Sequence, residues 1–368
     1  MGQTVMEKRT ITVAVLGTGR MGRVHSRAWA KLRDEGFSVS GKDDSLHLII
    51  YGRDRARSAC LAKEMQAQRH TTELEELLSD PSVDVVDNTL TNSMHRAPSL
   101  LAASHGKHLL CEKPLAPTLQ QAEDMWHAAQ RAKVRHGIIQ NMRFAAGPSR
   151  AKRIIASGQL GRIFHAQVVF GYYVGEVVAN RPAWFYQQET AGGGIGLDML
   201  AHFLDLLPWM LGPVAAISCQ TGLFLPRRED SSGRSFAVEV EDTAASTLRF
   251  ASGALAEVFC SWVRRRSPNE LANPSFQIDG ERGSLYFGLD RLWIQAQSSE
   301  WSEVILETVD PFAAQFREFL ISVVSDLPSR PDWGDGVATM ELVSAAYRAA
   351  DTGREVSCER SDQASDRA

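Results

Sequence analysis

Ile11-Thr12-Val13-Ala14-Val15-Leu16-Gly17-Thr18-Gly19-Arg20-Met21-Gly22 is the stretch whose reading decides the fold. Its first six residues, mostly Ile, Val and Leu, predict a strand buried on both faces, the kind found in parallel sheets. The glycines then fit G-x-G-x-x-G after a strand and before a helix, the context that gives this pattern meaning. The first glycine permits the tight turn and the second lets backbone approach a pyrophosphate. The third lets the helix pack on the strand while its N-terminus faces the anion. A dinucleotide-binding unit follows, with Gly17, Gly19, Arg20, Met21 and Gly22 at the cofactor. The bland alternative is a glycine turn in a cofactor-free α/β domain.

Outward from this stretch, residues 11 to about 140 alternate short apolar runs with helical stretches, the signature of repeated βα units. Further strands are predicted at Leu46 to Tyr51, Val83 to Leu90, His108 to Cys111 and Gly137 to Asn141. Helices are predicted over Met21 to Arg33, Arg55 to Gln66, Thr72 to Leu78, Met94 to Ser104 and Leu119 to Ala132, with Thr71 and Thr118 as N-caps. The polar residues 34 to 45 are expected to form a surface loop. At Gly147-Pro148 the rhythm changes to a short helix, turns at Gly158 and Gly161, and alternating strands from Arg162 onward. Strand-turn-strand patterns at Asp242 to Phe259 and Ser275 to Phe287 imply a sheet. Helices near Phe312 to Ser325 and Val337 to Asp351 are expected to close this second domain. The fold class is therefore an α/β Rossmann domain plus an α+β domain with an open, mainly antiparallel sheet. Residues 1-144 form the first, 145-358 the second, for substrate binding and oligomerisation, and 359-368 a disordered tail.

Composition narrows the partners. Of 368 residues, 44% are hydrophobic and 23% charged, which is ordinary globular usage. A net charge of -4 offers no broad attraction to nucleic acid or anionic lipid, which leaves a small-molecule partner. Met1 to Thr10 is polar and lacks the apolar run of an export signal. Ile195 to Leu211 is apolar but interrupted by Asp198, His202 and Asp205, so no membrane span is expected and the address is read as cytoplasmic. Five scattered cysteines without a C-x-x-C pair argue for reduced thiols.

An acid usually ends the strand after the glycine loop and binds the adenosine ribose of NAD. Here Tyr51-Gly52-Arg53-Asp54 puts Gly52 at that position. Arg53 could meet a 2′-phosphate, which leans the reading of NAD(P)(H) towards NADP; Asp54, two residues on, could instead reach the ribose of NAD.

Two further motifs carry chemistry: Cys111-Glu112-Lys113-Pro114 after a strand, and Gly192-Gly193-Gly194-Ile195-Gly196-Leu197-Asp198-Met199-Leu200-Ala201-His202-Phe203-Leu204-Asp205 entering a helix. Together with the glycine loop they resemble the Gfo/Idh/MocA family of sugar and cyclitol oxidoreductases, from about Ile11 to Val356. Val83-Asp84-Val85-Val86, Thr91-Asn92, His95, Gly106-Lys107-His108 and Asn141-Met142-Arg143-Phe144 add matches. Thr91 where the family usually has Pro, and Leu200 where it often has Gly, are departures.

Asp198 and His202 stand four apart on a helix and share a face, with Asp205 three residues further on a similar side. Such a face on an apolar helix needs a reason, since a lone helical His is usually a satisfied core residue and a lone Lys before Pro a solvated turn residue. The resemblance supplies it by implying Lys113, Asp198 and His202 as catalytic. Removal of hydride from a secondary carbinol demands a base for the hydroxyl proton and a cation for the developing alkoxide. Either His202 with Asp198 orienting it, or Lys113, fills the base role. A metal is not expected, although carboxylate and imidazole could bind one. The resemblance further implies cofactor contacts from Thr91, Asn92, His95, Glu112 and Lys113, substrate contacts from Arg143, Lys113, Asp198 and His202, and a cis Lys113-Pro114 bond; Trp184 is read as a substrate contact from its aromatic cluster. Tyr172, Tyr173, Arg181, Trp184 and Tyr186 suit a sugar ring or, equally, packing. A bare sheet with Phe250, Phe259 and Trp262 would call for a partner subunit, hence a homo-oligomer, dimer or tetramer. A non-catalytic dinucleotide-binding regulator or redox sensor of the same fold is the alternative to an enzyme.

Overall fold

The computed structural model describes residues 9–39, 42–174, 181–230, 232–268, 270–297 and 299–358; the predicted tail, 359–368, lies outside these. The chain divides into two compact units, one drawn from residues 1–116, 120–141 and 310–337 and the other from 117–119, 142–309 and 338–368.

In the first unit the apolar opening stretch becomes β1 (Thr10–Leu16), with Ile11 and Val13 to Leu16 fully buried. A strand of this kind lies inside a sheet, with layers over both faces and paired neighbours on both edges. These are β3 (Lys42–Tyr51) and β5 (Val85–Asn88), both parallel to β1. With β4 (Arg69–Thr71), β6 (His108–Cys111) and β7 (His136–Ile138) the parallel order is β4-β3-β1-β5-β6-β7, the doubly wound arrangement of dinucleotide-binding folds.

Residues 34 to 45 correct the sequence reading. Instead of a loop, β2 (Phe37–Val39) pairs antiparallel with Lys42–Asp44 at the start of β3. Phe37 is the cause, since it is 2% exposed and belongs to the first unit's core. Thr71 likewise ends a strand rather than capping a helix, and the next helix begins at Leu74.

The helix Pro311–Ser325 also departs from the linear boundary at 144 and 145. Its Phe316, Phe319 and Leu320 join Trp29, Leu32 and Ile50 in the core of the first unit. Together with the segment that follows it, it meets the open edge of that sheet. Gln315 donates to the Ile138 carbonyl at 2.7 Å, and Trp333 donates through its ring nitrogen to Gly137 at 3.0 Å. A buried edge strand otherwise leaves backbone groups unsatisfied.

The second unit is built on nine strands in the order β17-β16-β15-β14-β8-β13-β12-β9-β18. These are β8 (Ile163–Gly171), β9 (Val214–Gly222), β12 (Thr243–Phe250), β13 (Leu255–Ser261), β14 (Ser275–Gly280), β15 (Gly283–Phe287), β16 (Leu292–Ala296), β17 (Ser302–Glu303) and β18 (Val356–Ser357). A separate hairpin joins β10 (Arg227–Glu229) to β11 (Ser235–Ala237). Within the nine, β8 and β13 run parallel and the other neighbours antiparallel. Alternation along β12 and β13 turns Leu248, Phe250, Ala256 and Val258 inward and leaves Thr247, Glu257 and Phe259 on the outer face. Phe250 and Trp262, expected on a bare sheet, are each 1% exposed and belong to the core; Phe259 remains outside at 36%. The run Gln188–Leu211 is helical and apolar enough, by length and composition alone, to cross a membrane, and most of it is buried inside this unit.

Candidate active site

The glycine loop leaves the carboxyl end of β1, where open α/β sheets place their ligands. Gly17 adopts φ +122°, and a Cβ on it would press against Thr89 Oγ1 at 2.8 Å. A Cβ on Gly22 would collide with the Gly17 carbonyl oxygen, so this glycine serves packing of helix on strand. Gly19 differs, because a Cβ there would meet nothing within 4 Å. No neighbouring atom demands glycine at 19, and its bare backbone leaves room for a ligand to approach. The following helix, Arg20–Glu35, has no side-chain cap and no acidic residue in its first turn, so its N–H groups and dipole are left to an anion. These residues fit the pyrophosphate of a dinucleotide.

Gly52 at the end of β3 also has a steric reason. A Cβ there would lie 2.7 Å from the Thr18 methyl, in the loop itself. Asp54 has a local role at the start of the next helix. It is the N-cap of the helix Arg55–Glu64, and Oδ1 accepts from Ala56 N at 2.9 Å and Arg57 N at 3.0 Å.

At the end of β5, Asn88 organises the turn carrying Thr91 and Asn92, donating to the His95 carbonyl at 3.0 Å and to Ser99 Oγ at 3.1 Å. His95 is fully buried. Its ring nitrogens face the carbonyls of Pro114 (2.8 Å) and Leu90 (3.1 Å), and burial lowers its pKa. It therefore fastens this turn to the next one.

That next turn follows β6. Lys113-Pro114 is cis, and Lys113 is half-buried. Glu112, 5% exposed, accepts from the Lys113 backbone N–H at 2.9 Å through Oε2, while its Oε1 lies 2.9 Å from His25 Nε2. Both oxygens of its carboxylate are thus engaged within the protein.

In the second unit, Asp198 falls in a π turn, Gly196–Leu200, which runs directly into the α-helix Ala201–Leu211 bearing His202. Single π turns recur at functional sites because they redirect side chains that a regular helix would place elsewhere. The preceding glycines make room for a latch. A Cβ on Gly194 would collide with the Glu241 carbonyl, and one on Gly196 would lie 2.8 Å from Tyr347 Oη. The Glu241 carboxylate accepts from Gly194 N at 3.0 Å, from Gly196 N at 2.9 Å and from Tyr347 Oη at 2.7 Å. Burial beside this carboxylate pushes the Tyr347 phenol well above its usual range.

Around Asp198, Arg181 Nη1 stands 3.4 Å from Oδ2, and Nη2 donates to Tyr172 Oη at 2.8 Å. The guanidinium lies over Phe185 at 4.1 Å, and burial raises the Tyr172 pKa to about 12. His202 is 7% exposed. Arg143 is held by Asp205 through two bonds, Nε to Oδ2 at 2.8 Å and Nη2 to Oδ1 at 2.6 Å, over the ring of Trp209. A bidentate pair at this depth anchors the helix, so the structure reads Arg143 first as a brace for Ala201–Leu211. Trp184 sits half-buried on a 3-10 turn, Ala183–Tyr186, whereas Tyr186 is 3% exposed and packs edge-on against Trp262.

Residues 11–139 match the model of an oxidoreductase family with an NAD-binding Rossmann fold, and residues 149–286 match the Gfo/Idh/MocA C-terminal domain. The chain belongs to the Gfo/Idh/MocA oxidoreductase family. It is 29% identical to D-xylose dehydrogenase of Paenarthrobacter nicotinovorans over 347 residues, covering 86% of this chain and 89% of that one. To levoglucosan dehydrogenase of Pseudarthrobacter phenanthrenivorans it is 27% identical over 299 residues, 77% and 75% of the two chains. The solved structure of a levoglucosan dehydrogenase in complex with NADH and L-sorbose has the same fold, at TM-score 0.85 and 22% identity over 95% and 99% of the chains.

In this Gfo/Idh/MocA oxidoreductase the sequence reading overlooked Thr18, His25, Asp87, Thr89, Glu241 and Tyr347. Glu241 had no local signal, because its partners lie 45 to 106 positions away. His25 had one: it stands three after Gly22 and four before Trp29, on the face of its helix that is buried.

Proposed function

We propose that this enzyme transfers a hydride between one secondary hydroxyl, or the matching keto group, of a pyranose, glycoside or cyclitol and a nicotinamide cofactor. The observation that carries this reading is where the first unit ends its strands. The loop at Gly19, the Thr91-Asn92 turn and Lys113 all follow the carboxyl ends of adjacent parallel strands, β1, β5 and β6. When bound, the nicotinamide supplies the hydride acceptor or donor. In oxidation, His202 takes the hydroxyl proton as the carbinol carbon loses hydride, Asp198 orients the imidazole or the substrate, and the Lys113 ammonium steadies the developing alkoxide. Trp184 and Arg181 supply an aromatic face and a donor to the ring. The names of the relatives, dehydrogenases of xylose and of levoglucosan, support a neutral carbohydrate substrate.

NADP is preferred to NAD in this proposal. Thr18 keeps position 52 free of a side chain, Asp54 is occupied as a cap, and exposed Arg53 remains for a 2′-phosphate. The enzyme also works as a dimer or tetramer joined through the outer face of the nine-stranded sheet.

Absorbance of the reduced nicotinamide, followed with each cofactor against a panel of sugars, glycosides and inositols, tests the proposal. Turnover with at least one neutral sugar or cyclitol is expected, with the larger kcat/KM for NADP. Tight cofactor binding without any turnover would sink the catalytic reading, and an NAD preference of about tenfold, or ~1.4 kcal/mol, would sink the cofactor choice. With an active pair in hand, Lys113→Met and His202→Ala identify the proton acceptor. Loss of the acceptor removes the ionisation from the pH profile with a kcat fall of about 10²-fold or more.

A further inference from the structure

Beneath the glycine loop and the lysine turn, a charged cluster is sealed inside the first unit. His25 and Asp87 are both 0% exposed, and Glu112 is 5% exposed. His25 Nδ1 lies 2.9 Å from Asp87 Oδ2, and Nε2 lies 2.9 Å from Glu112 Oε1. The second Asp87 oxygen is 3.1 Å from Nδ1, and Trp29 Nε1 donates to Oδ2 at 2.7 Å. Phe312 and Phe316 cover the ring, with centroids 5.2 and 5.1 Å from it. A neutral imidazole carries one N–H, so it would set a lone pair against one of these carboxylates; an imidazolium donates to both. Burial alone drives His25 towards the neutral form, but Asp87 first and then Glu112 outweigh it, and its pKa is raised to about 10. Glu112 is pulled below its usual range by His25 and by the Lys113 charge, against the opposite effect of burial.

Three elements meet in this cluster: the helix that follows the glycine loop, the end of β5 and the end of β6. The last link faces outward, because the remaining oxygen of Glu112 accepts the Lys113 backbone N–H at 2.9 Å. We infer that His25 is a positioning residue whose imidazolium, clamped between Asp87 and Glu112, fixes the main chain at Lys113 and so the aim of its ammonium. The inference rests on the proposed role of Lys113 in the reaction. A buried charge pair is weak evidence of stability and better understood as a device that admits one arrangement. The arrangement fixed here is the register of the lysine turn against the cofactor loop.

Two measurements on the full-length enzyme test it. In ¹⁵N spectra of the wild-type protein, both His25 ring nitrogens should stay protonated at about pH 8, well above an ordinary histidine, and the Lys113 amide should shift together with the ring as it titrates. A neutral ring at that pH, or a Lys113 amide indifferent to the titration, overturns the inference. In His25→Gln, kcat should fall by about ten- to a hundredfold while the dissociation constant of the reduced cofactor, read by fluorescence, changes by less than about threefold. An unchanged kcat, or equal losses in kcat and cofactor affinity, also overturns it. If Lys113→Met retains full turnover, it is the proposed reaction that fails, and the spectra still decide whether the clamp exists.

Discussion

Holding His25 charged in the core makes the stability of the first unit depend on pH in a defined direction. Its folded pKa, about 10, lies above the ordinary histidine value of 6.5. The clamp's contribution is therefore fully present below 6.5 and disappears as pH rises through about 10. The melting temperature of the wild type should fall over that alkaline limb, by roughly 2–4 °C for each kcal/mol lost. His25→Gln should melt lower at neutral pH and lack the limb, and parallel wild-type and variant curves would show that His25 is neutral in the folded protein. The family resemblance implied Lys113, Asp198 and His202 as the reacting groups. It gave no hint that Glu112 answers to His25, because the pairing spans 87 positions and depends on the helix after the glycine loop packing beside the end of β6.

Among the elements, the helix Arg55–Glu64 separates two roles that position 54 could have had. Asp54 Oδ1 accepts from two backbone N–H groups at the helix start. Asp54→Ala should therefore lower stability by ~1 kcal/mol and leave the NADP to NAD ratio unchanged. A loss of NAD use specifically, at unchanged stability, would return the residue to the ribose. Strands and helices with strong periodicity were legible, including the hairpins at Ser252-Gly253 and Gly280 to Gly283. The strand Arg69–Thr71 was not. Its three polar-leaning residues acquire order from pairing with Ile49 to Tyr51, which no local pattern announces. The π turn at Gly196–Leu200 was equally hidden, since i, i+4 spacing reads as ordinary α-helix until Glu241 takes the glycine N–H groups.

Across the whole molecule, the outer face of the nine-stranded sheet is more polar than the sequence suggested. Thr247, Glu257, Gln167 and Gln277 follow one another in register across four strands, with Phe259 one row away. An association through this face is expected to be wet and partly polar, as many interfaces are. Sedimentation at micromolar concentration should show a dimer or tetramer; a monomer would remove the proposal, and replacing Phe259 by Lys should shift the equilibrium towards smaller species.

By family resemblance the sequence implied the lysine turn; by itself it determined the strand, the glycine loop and the polar face of the second unit's helix. Each is written in residues no more than about a dozen apart, and local sterics and periodicity suffice to read them. Only the tertiary structure decided that residues 310–337 complete the first unit, that Gly52 answers to Thr18, and that buried His25 stands between two carboxylates. Those outcomes turn on which distant groups share one desolvated volume, and that is settled when the chain packs.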